Sequence, residues 1–244
     1  MESTATSGDI FRQLAGGLPR PEDLGRHVFI GVDGVDGAGK TMFADELAVA
    51  LSKGHGGDSV RVSPVVRVSI DGFHRIRRER YRQGRDSPEG FWQDSYDYEA
   101  FRRLVVEPLK PGGSGTYRAA SHDLATDALL GGPDLAISVP SVILIDGIFL
   151  HRPELVQIWD ASVFLHVSFT TSFQRMAERD GSDPLPEAAA NRRYMQGQLL
   201  YLGECAPLFR ATTAVDNNDW AAPSILWPGW IVQPPGGQQV PFNP

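Results

Sequence analysis

The chain has a single cysteine among 244 residues. Cys205 therefore has no partner for an internal disulfide, cannot furnish a multi-cysteine zinc site, and suits a reducing compartment. There is no run of about 18 apolar residues, so no segment reads as a membrane-spanning helix. The stretch 1–26 is polar and has no apolar core of signal-peptide length, and the expectation is a cytoplasmic protein with no membrane partner. Positive charge is not in excess. The 23 Lys and Arg stand against 30 Asp and Glu, a formal charge of −7, which argues against general affinity for nucleic acid. No internal repeat is visible, and the dinucleotide fingerprint G-x-G-x-x-G is absent. A chain of this length with 41% hydrophobic residues can bury one substantial core.

What is present is more specific. Residues 34–41 read GVDGAGKT, a full match to the phosphate-binding pattern G-x-x-x-x-G-K-[ST]. Gly34 and Gly39 allow the tight backbone turn. The amides along Asp36, Gly37, Ala38 and Gly39 would point inward at phosphate oxygens, Lys40 would reach the β- and γ-phosphates, and the Thr41 hydroxyl would ligate Mg²⁺. The apolar run 28–32 before the loop reads as a buried strand. Phe43, Leu47, Ala48 and Leu51 after it fall at helical spacing. Strand, glycine loop and helix is the order that sets a helix N-terminus against phosphate.

Further strands are expected at 65–70, 141–145, 162–167 and 211–215, with Arg67 marking a more exposed side of the second. Helices are expected around 10–14 and at 98–109, 153–159, 171–179 and 186–202. This alternation predicts an α/β fold with a parallel sheet covered on both faces. The expected organisation is an N-terminal helix and lead-in over 1–26, a nucleotide-binding domain over 27–222, and an irregular Pro/Gly-rich tail over 223–244 anchored by Trp227 and Trp230. Ligands bind outside the carboxyl ends of strands in such sheets. Asp33, Asp71 and Asp146 sit at three such ends, a grouping that favours metal and proton-transfer work, although a turn or capping role would account for any one of them.

The ordered motifs resemble the uridine kinase and phosphoribulokinase group of P-loop kinases. They are the loop, Asp71-Gly72-Phe73-His74, the strand end Leu144-Ile145-Asp146-Gly147-Ile148, and Arg175-Met176-Ala177-Glu178-Arg179-Asp180. The stretch 80–98 is similar to uridine kinase-like proteins of actinobacterial type. The resemblance implies a P-loop three-layer sandwich with a five-stranded parallel sheet and a lid at about 175–200. It also implies ATP and Mg²⁺ as cofactors and a small-molecule acceptor. Under it Asp146 takes the Walker B role beside Thr41. Asp71 is the candidate for the base that accepts the acceptor's hydroxyl proton, or else it faces the metal. Arg175 and Arg179, four apart on one helix face, reach the transferring phosphoryl group, or else form a solvated face with Glu178 and Asp180. Asp94 would hold ribose hydroxyls, and Tyr117, His122, His74 and Phe91 would surround a nucleobase. Three departures stand out. Ala119 replaces an aromatic, Ala38 replaces the usual Ser of the loop, and the Pro-rich tail replaces a last helix, which leaves homo-oligomerisation open.

The leading acceptor is uridine or cytidine, phosphorylated on the 5′-hydroxyl. Pantothenate, a sugar or a sugar phosphate on the same fold is the alternative, and a non-catalytic ATP-binding regulator is a third. Six arginines between Arg75 and Arg85 bear on that choice. They suit an anionic acceptor, a solvated face paired with Glu79, Asp86 and Glu89, or closure over ATP.

Overall fold

The computed structural model describes residues 7–53 and 63–228. Strand β1, Val28–Gly34, is buried along its whole length. Its odd and even positions feed two separate cores, as the two-residue period of a strand requires. Val28, Ile30 and Val32 pack with Phe43, Leu47, Phe169 and Phe173 on one face. Phe29 packs with Phe73, Phe101 and Tyr201 on the other. Strand β7, Val142–Gly147, divides in the same way, Val142 and Leu144 to the first core and Ile143 and Ile145 to the second. This is the three-layer arrangement expected.

In chain order, helix α1, Ser7–Gly17, packs on α2, Lys40–Ser52, which follows β1 and the loop. Strand β2, Val65–Ser69, runs into a 3₁₀ turn, Ile70–Phe73. Helix α3, Pro88–Asp94, starts where Ser87 accepts a hydrogen bond from the Gly90 amide and Pro88 fits the first turn. Two small hairpins follow, β3 (Thr116–Tyr117) with β6 (Leu135–Ala136), and β4 (His122–Asp123) with β5 (Ala128–Leu129). After β7 come β8, Ala161–His166, and α4, Phe169–Asp180, capped by Ser168 and ended by Gly181 in the left-handed region. Helix α5, Arg192–Cys205, strand β9, Thr213–Asp216, and strand β10, Ser224–Pro228, complete the fold.

The sheet order is β10-β9-β8-β1-β7-β2. Five strands are parallel, as expected, and a sixth, β10, adds antiparallel to β9. The stretch from 223 is thus not irregular at its start. Trp227 lies within β10, and Trp230 lies outside the described residues. Two helices were misplaced. Residues 153–158 form successive hydrogen-bonded turns rather than a regular helix. The last long helix begins at Arg192, six residues later than expected, after a 3₁₀ turn at Ala189–Asn191. Among the described residues no helix is long and apolar enough to cross a membrane.

Candidate active site

The glycine loop joins β1 to α2, and its shape is fixed from outside. At Gly37, φ is 67°, and a Cβ there would lie 2.4 Å from the Ser172 carbonyl oxygen, so only glycine fits. The Ser172 hydroxyl donates to the Asp36 carbonyl at 2.5 Å, and Gln198 Oε1 accepts from the Asp36 amide at 2.6 Å. Asn217 Nδ2 donates to the Ala38 carbonyl at 2.7 Å. Lys40 Nζ curls onto the Val35 carbonyl at 2.7 Å. The braces come from α4, α5 and the end of β9, and sequence reasoning named none of them. Ser172, Gln198 and Asn217 carry no local motif.

Thr41 and Asp146, expected to share a metal, are brought together. Thr41 Oγ1 donates to Asp146 Oδ2 at 2.8 Å. Arg67 Nη2 donates to Asp146 Oδ1 at 2.8 Å, and the same guanidinium pairs with Asp45. Arg67 is therefore half-buried and anchored rather than marking an open side. One hydroxyl and one carboxylate suit Mg²⁺, which keeps several waters and takes the rest of its shell from phosphate oxygens. No group of three or more His, Cys, Asp or Glu among the described residues could hold a metal by itself.

Asp71 leaves β2 in the 3₁₀ turn with its side chain exposed. Its amide donates to Ser69 Oγ, and His74 Nδ1 donates to its carbonyl at 2.8 Å. The Tyr96 hydroxyl donates to Asp71 Oδ1 at 2.8 Å, and the His74 ring lies on the Tyr96 ring with centroids 4.3 Å apart. Burial holds His74 below the usual histidine range and so keeps it neutral near pH 7. With Nδ1 spent on the carbonyl, Nε2 is left as an acceptor. Removal from water raises the Asp36 carboxyl. Lys40 opposes that rise, the Asp71 charge adds to it, and Arg179 opposes it.

Asp33 is a correction. It is fully buried. Its Oδ2 accepts from His151 Nδ1 at 2.6 Å and from the Tyr201 hydroxyl, and its Oδ1 accepts from the Gly34 amide at 2.7 Å. His151 Nε2 continues to Ser162 Oγ at 2.9 Å. Both oxygens are engaged in this internal network and the side chain is fully buried, so Asp33 braces the root of the loop.

The hairpin carrying His122 docks beside Asp71, with the Ser121 amide donating to the Gly72 carbonyl at 2.8 Å. A Cβ at Gly72 would lie 2.9 Å from the Ala119 carbonyl oxygen, so this approach needs glycine. His122 is buried. Its Nε2 donates to Asp127 Oδ1 at 3.1 Å, and its Nδ1 has no partner among the described residues. Tyr117 sits in the second core, where burial raises its hydroxyl pKa. Phe91 is also a core residue, packed edge-on against Phe149 and Tyr194, and not a free stacking platform. Asp94 is buried with both oxygens engaged, Oδ1 by Arg82 Nη2 at 2.7 Å and Oδ2 by Gln83 Nε2 at 2.8 Å.

The arginine-rich segment is only partly a solvated face. Arg75 pairs with Glu79, Arg80 with Asp127 and Arg82 with Asp94, while neither Asp86 nor Glu89 takes one of these guanidinium groups. Arg193 of α5 secures the segment by donating to the carbonyls of Arg80, Gly84, Arg85 and Ser87. Of the arginine pair on α4, Arg175 Nη2 donates to the carbonyls of Asn217 and Asn218 at 2.9 Å each, and burial lowers its pKa. Arg179 is exposed and pairs with Asp180 at 2.9 Å.

The fold recurs in solved structures. One is a possible uridine kinase from Bacillus stearothermophilus. It superposes with a TM-score of 0.63 over 85% of this chain and 96% of that one, at 21% identity. The chain has the P-loop kinase fold. A second neighbour is a Silicibacter sp. TM1040 protein provisionally assigned as a fructose transport system kinase. Its TM-score is 0.60 over 82% and 95% of the two chains, at 23% identity. A third, the YGR205w protein, gives 0.58 over 91% and 97%, at 13% identity. No family model matches the chain. Residues 34–41 carry the Walker A pattern, and Asp146 stands near the end of the neighbouring strand β7.

Proposed function

We propose that the protein is an ATP-dependent phosphotransferase that acts on a hydroxyl of a small-molecule acceptor. The observation that carries this reading is the Thr41–Asp146 contact directly behind Lys40, with Asp71 at the adjoining strand end. Phosphoryl transfer needs an aligned nucleophile, neutralised phosphate charge and exclusion of water. The loop amides and Lys40 neutralise the phosphates. Thr41 and Asp146 would hold Mg²⁺, which would draw charge from the β- and γ-oxygens. The hydroxyl of the acceptor gives its proton to Asp71 Oδ2 as attack proceeds. Arg179, at the head of the segment 175–200, moves onto the transferring group as that segment closes as a lid. Arg175 instead holds the carbonyls behind the loop.

For the acceptor we infer a pyrimidine ribonucleoside. Support comes from the buried His122 beside Asp71, the aromatic surround of Tyr96 and His74, and a neighbour described as a possible uridine kinase. A second reading, an acceptor with a carboxylate or phosphate, is favoured by Asp94. Its oxygens already hold Arg82 and Gln83 and are not open to a ribose diol. The test is steady-state ADP release with a panel of uridine, cytidine, 2′-deoxyuridine, pantothenate, sugars and sugar phosphates. Lys40→Ala should bind ATP weakly and show almost no turnover on any acceptor, and wild-type rates in that variant would refute the site. Turnover of sugar phosphates or pantothenate alone would replace the nucleoside by the second reading.

A further inference from the structure

We infer that Tyr96 is a positioning residue for Asp71, presenting the carboxylate to the acceptor with one oxygen held and the other open. The inference rests on the reading of Asp71 as the base.

Three bonds converge on this aspartate. Ser69 Oγ takes its amide, His74 Nδ1 takes its carbonyl, and the Tyr96 hydroxyl takes Oδ1 at 2.8 Å. The first two fix the backbone at Asp71, and only the third acts on the carboxylate. Among the described residues no group is bonded to Oδ2. An exposed carboxylate with no such partner would rotate about its terminal torsion, whose preference is broad. The Tyr96 hydroxyl removes that freedom and selects which oxygen faces outward.

Tyr96 itself cannot rotate away. It is 3% exposed, its ring is overlaid by His74, and it packs near Tyr98 and edge-on to Phe149. Its backbone forms a bridge with His74, and the Asp97 amide donates to the Phe73 carbonyl at 2.8 Å. The two short segments that carry acid and donor are thus locked in register. Burial, together with the nearby charges of Asp71 and Asp36, also drives the phenol far above its ordinary pKa. It stays protonated and remains a donor at every working pH. A tyrosine buried only for packing would have no need to place its hydroxyl on an otherwise exposed carboxylate. Phenylalanine would fill the same volume.

The experiment is a double-mutant cycle with Tyr96→Phe and Asp71→Asn, reading kcat, KM for ATP and melting temperature. Positioning predicts that Tyr96→Phe lowers kcat about 5- to 50-fold, leaves KM for ATP within about twofold, and shifts melting little. It also predicts that the same substitution has no further effect on kcat in the Asp71→Asn background, because an amide is no longer a base to be aimed. A Tyr96→Phe protein with wild-type kcat would overturn the inference. So would an equal loss of kcat in both backgrounds, which would make the tyrosine's contribution independent of Asp71. Wild-type turnover in Asp71→Asn alone would sink the base assignment itself, and is read from a different arm of the cycle.

Discussion

A carboxylate at the end of a central strand becomes a ligand, a base or a brace according to its partners. Asp146 touches Thr41 and an arginine, Asp71 keeps one oxygen open, and Asp33 has none to spare. Removing a single partner from a buried pair costs about 3–5 kcal/mol, because the other is left unpaired. Asp33→Ala should therefore lower the unfolding free energy in urea by roughly that amount. A loss under about 1 kcal/mol would mean that the His151 and Tyr201 contacts contribute little. At this scale the chemistry was legible where it was local. Lys40 and Thr41 were fixed by an eight-residue pattern, and Asp146 by an apolar strand ending in an acid. The braces were not legible, since Ser172 and Gln198 lie 136 and 162 residues from Asp36, and Asn217 lies 179 from Ala38. Asp94 and Phe91 were misjudged for the same reason. Their partners are set by how α3 meets the arginine segment and α5, which a one-dimensional reading does not contain.

Helix α5 meets α3 through Gly197, and this junction carries Gln198 to the loop and Arg193 to the arginine segment. A Cβ at Gly197 would lie 2.7 Å from Phe91 Cδ1 and 2.8 Å from the Pro88 carbonyl oxygen. Alanine is the better helix former by up to about 1 kcal/mol. The backbone oxygen cannot swing aside, however, and overpacking costs about 1–3 kcal/mol. Gly197→Ala should thus destabilise the protein by about 1 kcal/mol in a urea titration, and a stabilised variant would show that the helices separate without cost. The central strands were readable because each alternates between two cores over four or more residues. The hairpin strands β3 to β6 have two residues each, too few to show a period. Strand β10 was hidden because its Pro- and Trp-rich sequence gains pairing only from the edge of β9.

Across the whole molecule, His27, His74 and His166 all have pKa values lowered, in each case chiefly by burial. A histidine held neutral in the folded state binds its proton more readily when unfolded. Its stabilising contribution is complete above its unfolded pKa, near 6.5, and is lost as pH falls below that value. The melting temperature should fall between about pH 7.5 and 5.5. His166→Gln should flatten part of that fall, since only the Asp216 charge favours protonation there. An identical pH dependence in the variant would rule out His166 as a contributor.

The account's central claim is that this fold transfers a phosphoryl group with Asp71 as base, and the most direct test separates binding from chemistry in Asp71→Asn. The measurement is the dissociation constant of Mg²⁺-ATP together with the turnover number on an acceptor the wild-type protein uses. The account predicts nearly unchanged ATP affinity and a turnover number lower by a factor on the order of 10² to 10⁴. Lost Mg²⁺-ATP binding with an undiminished rate per bound complex would contradict it, and would make Asp71 part of the nucleotide site instead.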